Sequence, residues 1–253
     1  MEKLIVIGAG QAAIQCITSL RKEGYSGSIT LVGEENHLPY QRPPLSKGFL
    51  SGSTIQDRLY LKKIEFFQEN SIQLNLGVKA TRIDRNKCIV HLSDKKSIGY
   101  DKLVIATGSK VRKLKFPGSE LEGIHYLRGI DDAELLKESL VASKSLVIVG
   151  AGYIGLEVAA VATEFDTKIT VIEMAERVMN RTVDPIISDY YQKLHAKNGV
   201  EFILNESIEK VEGKKIVERV LCSSNSSIHA DTLVIGAGVT PNVELAEESG
   251  LNC

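Results

Sequence analysis

Two long apolar runs, each closed by glycines, are the clearest feature of the hydrophobic pattern. They are LIVIGAG at residues 4–10 and SLVIVGAG at residues 145–152. Such runs, without alternating polar positions, are typical of parallel strands that are buried on both faces. A helical pattern follows each run, and we predict helices over about residues 11–23 and 153–165. The chain is therefore predicted to contain two strand–turn–helix units of the same form.

The two units also end alike. DKLVIATGS at residues 101–109 matches DTLVIGAGV at residues 231–239, and each segment is a hydrophobic strand closed by small residues. The distance between the repeats is too long for a solenoid and suits two successive domains. Pro117 and Gly118 interrupt the pattern at the junction, so we place the domain boundary near residue 115.

Alternating apolar and polar residues lie between those strands, in IQLNLG, TRIDRNKCIVHLS, VEFILN and IVERVLCS. This alternation predicts additional short strands that are partly exposed. Together with the strand–turn–helix units, it indicates an α/β fold made of two domains on one plan.

Composition and charge narrow the function classes. The 253 residues are 43% hydrophobic and 25% charged, which is ordinary for a globular protein. Because 31 Lys and Arg face 32 Asp and Glu, nucleic acid is not an expected partner. No apolar run approaches the ~20 residues of a membrane span, and the first residues do not resemble a signal peptide, so we expect a cytoplasmic protein. The four cysteines lack metal-ligand spacing, and no metal site is predicted.

The first glycine turn, GAGQAA, suits a dinucleotide. Gly8 and Gly10 follow a strand and open a helix, so backbone amides and the positive helix end can hold a pyrophosphate. Ala13 takes the third small position. After the next strand, SITLVG, Glu34 lies close to where a carboxylate would bind the ribose hydroxyls.

The second turn has the full three-glycine form, with Gly150, Gly152 and Gly155. Glu173 ends the following strand at the spacing expected for the ribose-binding acid. A carboxylate there repels a ribose 2′-phosphate, which favours NADH over NADPH. Arg177 and Arg181 follow closely and count against this preference.

The segment PYQRPPLSKGFL at residues 39–50 is not required by any packing rule. Its consecutive prolines fix an extended path, which presents Arg42 and Lys47 from a stiff segment. These cations suit diphosphate charge or the negative charge of a reduced flavin, and the alternative is an ordinary surface turn.

YQRPPLSK, placed after GAGQAA and LVGEE and before an ATG strand, resembles the ferredoxin-reductase group of the FAD-dependent pyridine nucleotide-disulfide oxidoreductase superfamily. That group includes putidaredoxin, rubredoxin-type and dioxygenase ferredoxin reductases and the related apoptosis-inducing factor. The resemblance implies two tandem Rossmann-like FAD/NAD(P)-binding domains of the three-layer β/β/α type. Residues 1–115 would form the first, incomplete part of the FAD-binding domain, residues 116–242 the NAD-binding domain, and residues 243–253 the start of the return to the FAD domain.

The resemblance also implies site residues. The expected FAD contacts are Gly8, Gly10, Ala12, Glu34, Arg42, Lys47, Val78, Thr107, Gly108 and Arg128. The expected NAD contacts are Gly150, Gly152, Tyr153, Ile154, Gly155 and Glu173, with Gly236 and Gly238 of GAGVTPN beside the nicotinamide. Glu157, in GYIGLE, is similar to the family carboxylate that pairs with the RPPLSK lysine beside the flavin. Lys47 and Glu157 are thus the expected catalytic pair, the alternative for Glu157 being a surface or interdomain salt bridge.

The implied chemistry is hydride transfer from NADH to FAD, followed by electron transfer to a ferredoxin- or rubredoxin-type iron–sulfur protein. An exposed basic cluster would dock an acidic carrier or would simply be a solvated loop; its members are Lys110, Arg112, Lys113 and Lys115.

Two departures from the family pattern affect these expectations. The chain has no CxxxxC after the first helix, which disfavours disulfide reduction. It also stops before the AxGD turn and the C-terminal interface domain that family members carry, so we expect a truncated chain without that domain. Two other interpretations stay open: an NAD-binding fragment without stable flavin or activity, and a redox protein like apoptosis-inducing factor.

Overall fold

The computed structural model describes all 253 residues, and packing divides them into two compact units. Unit 1 comprises residues 1–41, 56–110 and 240–253, and unit 2 comprises residues 42–55 and 111–239. Strands and helices are numbered along the chain. The chain passes from unit 1 to unit 2 within strand β8 (Ser109–Val111) and returns to unit 1 within strand β17 (Val239–Pro241).

Unit 1 is built on a parallel sheet with the strand order β3-β2-β1-β7. An antiparallel sheet, β4-β5-β6, accompanies it. The strands are β1 (Lys3–Ile7), β2 (Ser28–Gly33), β3 (Ile72–Leu76), β4 (Ala80–Asp84), β5 (Ile89–Leu92), β6 (Ser97–Gly99) and β7 (Lys102–Ile105). The helices are α1 (Gln11–Lys22), α3 (Ile64–Glu69) and α7 (Glu244–Glu248), with a 3-10 turn at Gln56–Arg58.

The residues of β1 point alternately to two cores, as a fully buried strand requires. Leu4 and Val6 pack with Ile14 and Ile17 of α1 on one face of the sheet. Ile5 and Ile7 belong to a core on the other face that the antiparallel sheet completes. Unit 1 therefore has three layers: helices, parallel sheet and antiparallel sheet.

Unit 2 repeats this plan with a five-stranded parallel sheet of order β12-β11-β10-β16-β9 and an antiparallel sheet β13-β14-β15. The strands are β9 (Ile124–His125), β10 (Ser145–Val149), β11 (Lys168–Glu173), β12 (Val200–Leu204), β13 (Ile208–Glu212), β14 (Arg219–Cys222), β15 (Ser227–His229) and β16 (Thr232–Ile235). The helices are α2 (Gly48–Ser51), α4 (Ile130–Ala142), α5 (Tyr153–Ala162) and α6 (Pro185–Lys197), with a 3-10 turn at Pro43–Ser46.

The layers of unit 2 follow from the same alternation. Val147 and Val149 of β10 pack with Val211 and Val220 of the antiparallel sheet in one buried core. On the helix side, α6 begins where Asp184 accepts a hydrogen bond from the backbone N–H of Ile186 at 3.3 Å, ahead of Pro185. The predicted α/β class and the β/β/α layering are confirmed.

Several predicted elements differ in detail. The helix predicted over residues 153–165 ends at Ala162, and IQLNLG and VEFILN form the parallel edge strands β3 and β12. The boundary predicted near residue 115 lies close to the division after Lys110, but residues 42–55 pack with unit 2. None of the helices has the length and apolar character that crossing a membrane requires.

Candidate functional site

The two glycine turns have matching backbone geometry. Gly8 has φ +103° and Gly150 has φ +102°, in the region that favours glycine. A Cβ on Gly8 would lie 2.0 Å from the carbonyl oxygen of Ala106, and one on Gly150 would lie 2.6 Å from that of Gly236. Each turn therefore requires glycine at its first position, because a neighbouring strand end approaches too closely for any side chain.

The second glycines face open space. A Cβ on Gly10 or on Gly152 would meet no heavy atom within 4 Å. Each glycine is the residue before a helix, α1 or α5, so the first helical amides point into that space. An uncovered helix N-terminus above a side-chain-free turn is the shape that a dinucleotide pyrophosphate needs. The residues present thus fit a dinucleotide in each unit.

The third positions of the turns differ. A Cβ on Gly155 would lie 2.0 Å from the carbonyl oxygen of Gly150, whereas unit 1 accommodates Ala13 there as a fully buried residue. The predicted contacts just inside the helices are exposed: Ala12 in α1, and Tyr153 and Ile154 in α5. They are accessible to a ligand, and packing does not explain their positions.

Glu173 is held at the edge of the unit 2 turn by two backbone amides. Its Oε2 accepts from Ala151 N at 2.7 Å and its Oε1 from Ala175 N at 2.9 Å. The Glu173 carbonyl oxygen also accepts from Glu206 N at 3.0 Å, which ties the end of β11 to the connection after β12. The carboxylate is therefore fixed beside the glycine turn, in the place predicted for the ribose-binding acid.

Unit 1 places its acid one residue later. Gly8 N donates to Val32 O and Gly150 N donates to Ile172 O, both at 2.8 Å, so Gly33 is the counterpart of Glu173. Glu34 lies beyond the strand and pairs with Lys79 at 3.1 Å, with both side chains mostly exposed. The predicted adenosine-side acid is therefore accessible but is not held by the turn.

The Arg177 side chain forms hydrogen bonds within the connection between β11 and α6 and with α6 itself. Its guanidinium donates to Val183 O at 2.9 Å, to Ser188 Oγ at 2.6 Å and to Asn180 O at 3.0 Å. These contacts stabilise the connection that leads into α6. Arg177 therefore does not oppose the NADH preference predicted from Glu173, and Arg181 alone stays exposed.

The predicted pair Lys47 and Glu157 is formed within unit 2. Lys47 Nζ lies 2.7 Å from Glu157 Oε2, with side chains 50% and 29% exposed. Lys47 follows the Pro43–Ser46 turn, and Glu157 lies in α5, one turn after the glycine turn. Ser46 Oγ also donates to Glu157 Oε2, at 2.5 Å. An ammonium, a carboxylate and a hydroxyl thus meet beside the start of α5.

Arg42 and Arg128 also meet in unit 2. The Arg42 guanidinium donates to the Arg128 carbonyl oxygen at 2.6 Å, while Arg128 N donates to Asp132 at 2.9 Å. Asp132 also accepts from Gly129 N at 2.8 Å and so anchors the start of α4. Both arginines are partly exposed.

In unit 1, the predicted ATG turn is fixed by a residue that the sequence did not single out. Thr107 Oγ1 donates to Asn242 O at 2.7 Å, and Asn242 Nδ2 donates to Thr107 O at 2.9 Å. Gly108 O accepts from Asn242 N at 2.9 Å. Val78 follows β3, and its amide donates to Gly33 O at 2.9 Å. The three predicted contacts Thr107, Gly108 and Val78 thus lie in loops that hydrogen bonds hold.

In unit 2, Gly236 and Gly238 lie just after β16. Gly236 N donates to Val149 O at 2.7 Å, which extends the sheet up to the glycine turn. Gly238 has φ +93°, and a Cβ there would meet nothing within 4 Å. No side chain or backbone group crowds the Cα of Gly238, and its place beside the nicotinamide stays a prediction.

A groove of about 620 Å³ runs between α5 and α6 in unit 2. Tyr153 and Glu157 line its α5 side, and Tyr191 and His195 line its α6 side. Burial lowers the pKa of His195 from its ordinary value, so this wall is uncharged at neutral pH. Tyr153 and Glu157 are thus reachable from the surface of unit 2 itself.

The basic cluster predicted as a docking surface is exposed at all four positions, Lys110, Arg112, Lys113 and Lys115. Lys110 forms an ion pair with Glu244, which holds the pKa of that carboxyl below its usual value. The chain contains no group of three or more His, Cys, Asp or Glu side chains arranged to hold a metal ion.

The structure divides the predicted FAD contacts between the units. Gly8, Gly10, Ala12, Glu34, Val78, Thr107 and Gly108 lie in unit 1, and Arg42, Lys47 and Arg128 lie in unit 2. Sequence reasoning missed Ser46 and Asn242. Ser46 stands beside the predicted lysine in YQRPPLSK and Asn242 ends GAGVTPN, so position within the motifs was the available signal.

Comparisons with known proteins place these features in context. The family described as pyridine nucleotide-disulphide oxidoreductase matches residues 2–253. Rhodocoxin reductase of Rhodococcus erythropolis is 42% identical over 251 residues, 98% of this chain. The ferredoxin reductase of the CYP199A2 system from Rhodopseudomonas palustris is 37% identical, with a TM-score of 0.96 over 100% of this chain. The reductase in a covalent putidaredoxin reductase–putidaredoxin complex is 35% identical, with a TM-score of 0.95 over 100% of this chain.

The chain spans only part of each of these proteins. It covers 58% of the rhodocoxin reductase, 63% of the ferredoxin reductase and 62% of the putidaredoxin reductase chain.

Proposed function

Because the chain belongs to the pyridine nucleotide-disulphide oxidoreductase family, we propose that it is the FAD- and NADH-binding part of a reductase. The protein takes hydride from NADH onto FAD and passes electrons to a ferredoxin- or rubredoxin-type iron–sulfur protein. The relatives are named as reductases, and two of the names include a ferredoxin or putidaredoxin.

The observation that carries the proposal is the presence of two glycine turns of the same geometry in one chain. Both combine a required first glycine with open space over the second, at Gly8 and Gly10 in unit 1 and at Gly150 and Gly152 in unit 2. A single dinucleotide would occupy only one of these two open turns. Two turns match a flavin dinucleotide and a nicotinamide dinucleotide used together.

We assign the unit 1 turn to FAD and the unit 2 turn to NADH. FAD, when bound, supplies the electron-accepting chemistry, and the protein supplies binding, orientation and charge. Lys47 offers a cation for negative charge on the reduced flavin ring, and Glu157 keeps that cation in place. Thr107, Gly108, Arg42, Arg128 and Val78 are the proposed further FAD contacts.

The preference for NADH rests on Glu173. Its carboxylate is fixed by the amides of Ala151 and Ala175, so it cannot easily swing away from a 2′-phosphate. Arg177, which would neutralise such a phosphate, is committed to other acceptors. Charge repulsion therefore selects the nucleotide with a free ribose diol.

A cytoplasmic location is also part of the proposal. All four cysteines are free thiols, which is typical of proteins in reducing compartments. Fractionation of cells that produce a tagged protein tests this location; recovery in an extracellular or envelope fraction would contradict it.

Visible absorbance spectroscopy of the purified chain, before and after anaerobic NADH, tests the proposal. Flavin bands that bleach when NADH is added are the expected result. A chain that stays colourless with added FAD but still binds NADH would instead be an NAD-binding module. A chain that binds neither dinucleotide would exclude both interpretations.

A further inference from the structure

Two donors from one short segment meet a single oxygen of Glu157. Ser46 Oγ lies 2.5 Å and Lys47 Nζ lies 2.7 Å from Oε2. The two donors differ in freedom, because Ser46 is 5% exposed whereas the Lys47 side chain is 50% exposed. The buried hydroxyl is therefore the better-defined contact of the carboxylate.

In the hydrogen bond between Ser46 and Glu157, the serine hydroxyl is the donor. An ionised carboxylate accepts and does not donate, so the Ser46 hydroxyl is the donor. Its other neighbour, Pro43 O, is 3.4 Å away and competes poorly. A hydroxyl-to-carboxylate bond is charge-assisted and roughly twice as strong as a neutral one.

The lysine is less able to fix the carboxylate. Its ammonium sits on a flexible stem with three rotatable donors. Lys47 Nζ also donates to Pro43 O, at 3.1 Å. Lys47 therefore follows the position of Glu157 rather than setting it.

The backbone that carries Ser46 is rigid. The Pro43–Ser46 turn begins with two prolines, whose φ angles are fixed by their rings. Leu45, Phe49 and Leu50 are buried next to it and anchor the turn and α2 in unit 2. The hydroxyl is thus presented to α5 from a fixed point.

We propose that Ser46 is a positioning residue: its hydroxyl holds the Glu157 carboxylate in the orientation that pairs with the Lys47 ammonium. A role of Ser46 in electron transfer rests on the proposed function, in which the Lys47 ammonium stabilises negative charge on the reduced flavin. The positioning itself concerns only side chains of unit 2 and can be measured without any cofactor.

The acylation rate of Lys47, followed by peptide mass mapping at fixed pH, reports on the pair directly. The ion pair engages the Lys47 nitrogen, so an acylating reagent should react with it more slowly than with a lysine that has no such partner. We expect Ser46→Ala to raise the rate about tenfold or more, as the loss of one hydrogen bond to a charged group implies. Ser46→Thr, which keeps the hydroxyl, restores most of the slow reaction. An unchanged rate in Ser46→Ala overturns the proposal.

Ser51→Ala is the matched control. Ser51 lies in the same segment, and its hydroxyl donates to Gly48 O at 3.3 Å without contacting Glu157. This variant should leave the Lys47 rate unchanged. If Ser46→Ala does not fold, Ser46→Cys keeps the side-chain volume, replaces the hydroxyl by a weak donor and carries the same expectation.

A double-mutant cycle separates positioning from simple packing. Ser46→Ala should have no further effect on Lys47 in a Glu157→Ala background, because the carboxylate through which it acts is gone. An equal effect in both backgrounds would mean that Ser46 only packs the segment, and it would overturn the proposal. In flavin-loaded protein, Ser46→Ala should slow flavin reduction without changing the KM for NADH. Absence of flavin would count against the proposed function and leave the acylation result standing.

Discussion

Alanine at Gly152 separates nucleotide binding from folding. Gly152 has φ −80° and ψ −172°, which alanine adopts without strain, and its Cβ would meet no atom within 4 Å. The free energy of unfolding should fall by at most about 1 kcal/mol, the usual cost of alanine at a helix N-cap. The methyl group would fill the space over the turn and keep a pyrophosphate from the amides. We therefore expect NADH affinity to fall by about tenfold or more, which is about 1.4 kcal/mol.

Alanine at Gly155 should lower the stability of the fold as well as the affinity for NADH. Helix propensity alone favours alanine over glycine by about 0.8–1.0 kcal/mol. The new Cβ, however, would lie 2.0 Å from the carbonyl oxygen of Gly150, so α5 must move away from the turn. Overpacking of this kind costs about 1–3 kcal/mol, and the net result is loss of stability together with loss of binding.

Urea unfolding followed by circular dichroism and NADH titration followed by fluorescence measure the two quantities. Gly10→Ala is the matched control, because Gly10 has nearly the same backbone conformation and the same open space but lies in unit 1. It should leave NADH affinity unchanged. If Gly152→Ala bound NADH as tightly as the parent, or if both variants lost affinity equally, the assignment of NADH to unit 2 would be refuted.

Three further substitutions test other parts of the structure. Glu173→Gln removes the charge that repels a 2′-phosphate, so the ratio of NADPH affinity to NADH affinity should rise about tenfold. Glu176→Gln, at an exposed residue, is the control. An unchanged ratio in Glu173→Gln would show that Glu173 does not determine the preference for NADH. Glu206→Gln should destabilise the protein at neutral pH, because the Ser223 and Ser224 donors lower the pKa of Glu206 to about 2. Since that pKa lies below the ordinary 4.5, the stabilisation is complete above pH 4.5 and disappears as the pH falls towards 2. The urea midpoints of parent and variant should therefore converge near pH 2. A difference between the two midpoints that did not change with pH would contradict this cause. Ile148→Ala, in the fully buried centre of β10, should lower the free energy of unfolding in urea by about 2–5 kcal/mol. Ile186→Ala, at a residue that is 72% exposed, should change it by no more than about 0.5 kcal/mol. Similar losses at both positions would argue against the β10 core.

The parallel strands and their turns were predictable because their signals are local. Continuous apolar runs closed by glycine predicted β1 and β10, and both helices begin where expected. The edge strands were recognised as strands but not as members of the main sheets. β3 lies at the edge of its sheet, and only Ile72 of the strand is buried. Because its two faces are not both covered, its hydrophobic pattern resembles that of an antiparallel strand.

The contacts that define the site were less accessible to sequence reasoning, because they join distant residues. The prolines predicted that residues 39–50 are stiff, but no local signal tells on which unit residues 42–55 pack. The resemblance supplied Lys47 and Glu157, whereas the Ser46 hydrogen bond depends on how the turn faces α5. The amides that fix Glu173 likewise follow from turn geometry and not from residue type.

The packing of residues 42–55 with unit 2 limits how this chain can be recombined with its relatives. A gene in which residues 111–239 alone came from a relative would take Glu157 from one parent and Ser46 and Lys47 from the other. It would also join a foreign α5 to a native segment whose Leu45, Phe49 and Leu50 are buried. An exchange that keeps unit 2 intact must transfer residues 42–55 together with residues 111–239. If only residues 111–239 are transferred, Lys47 and Glu157 come from different parents.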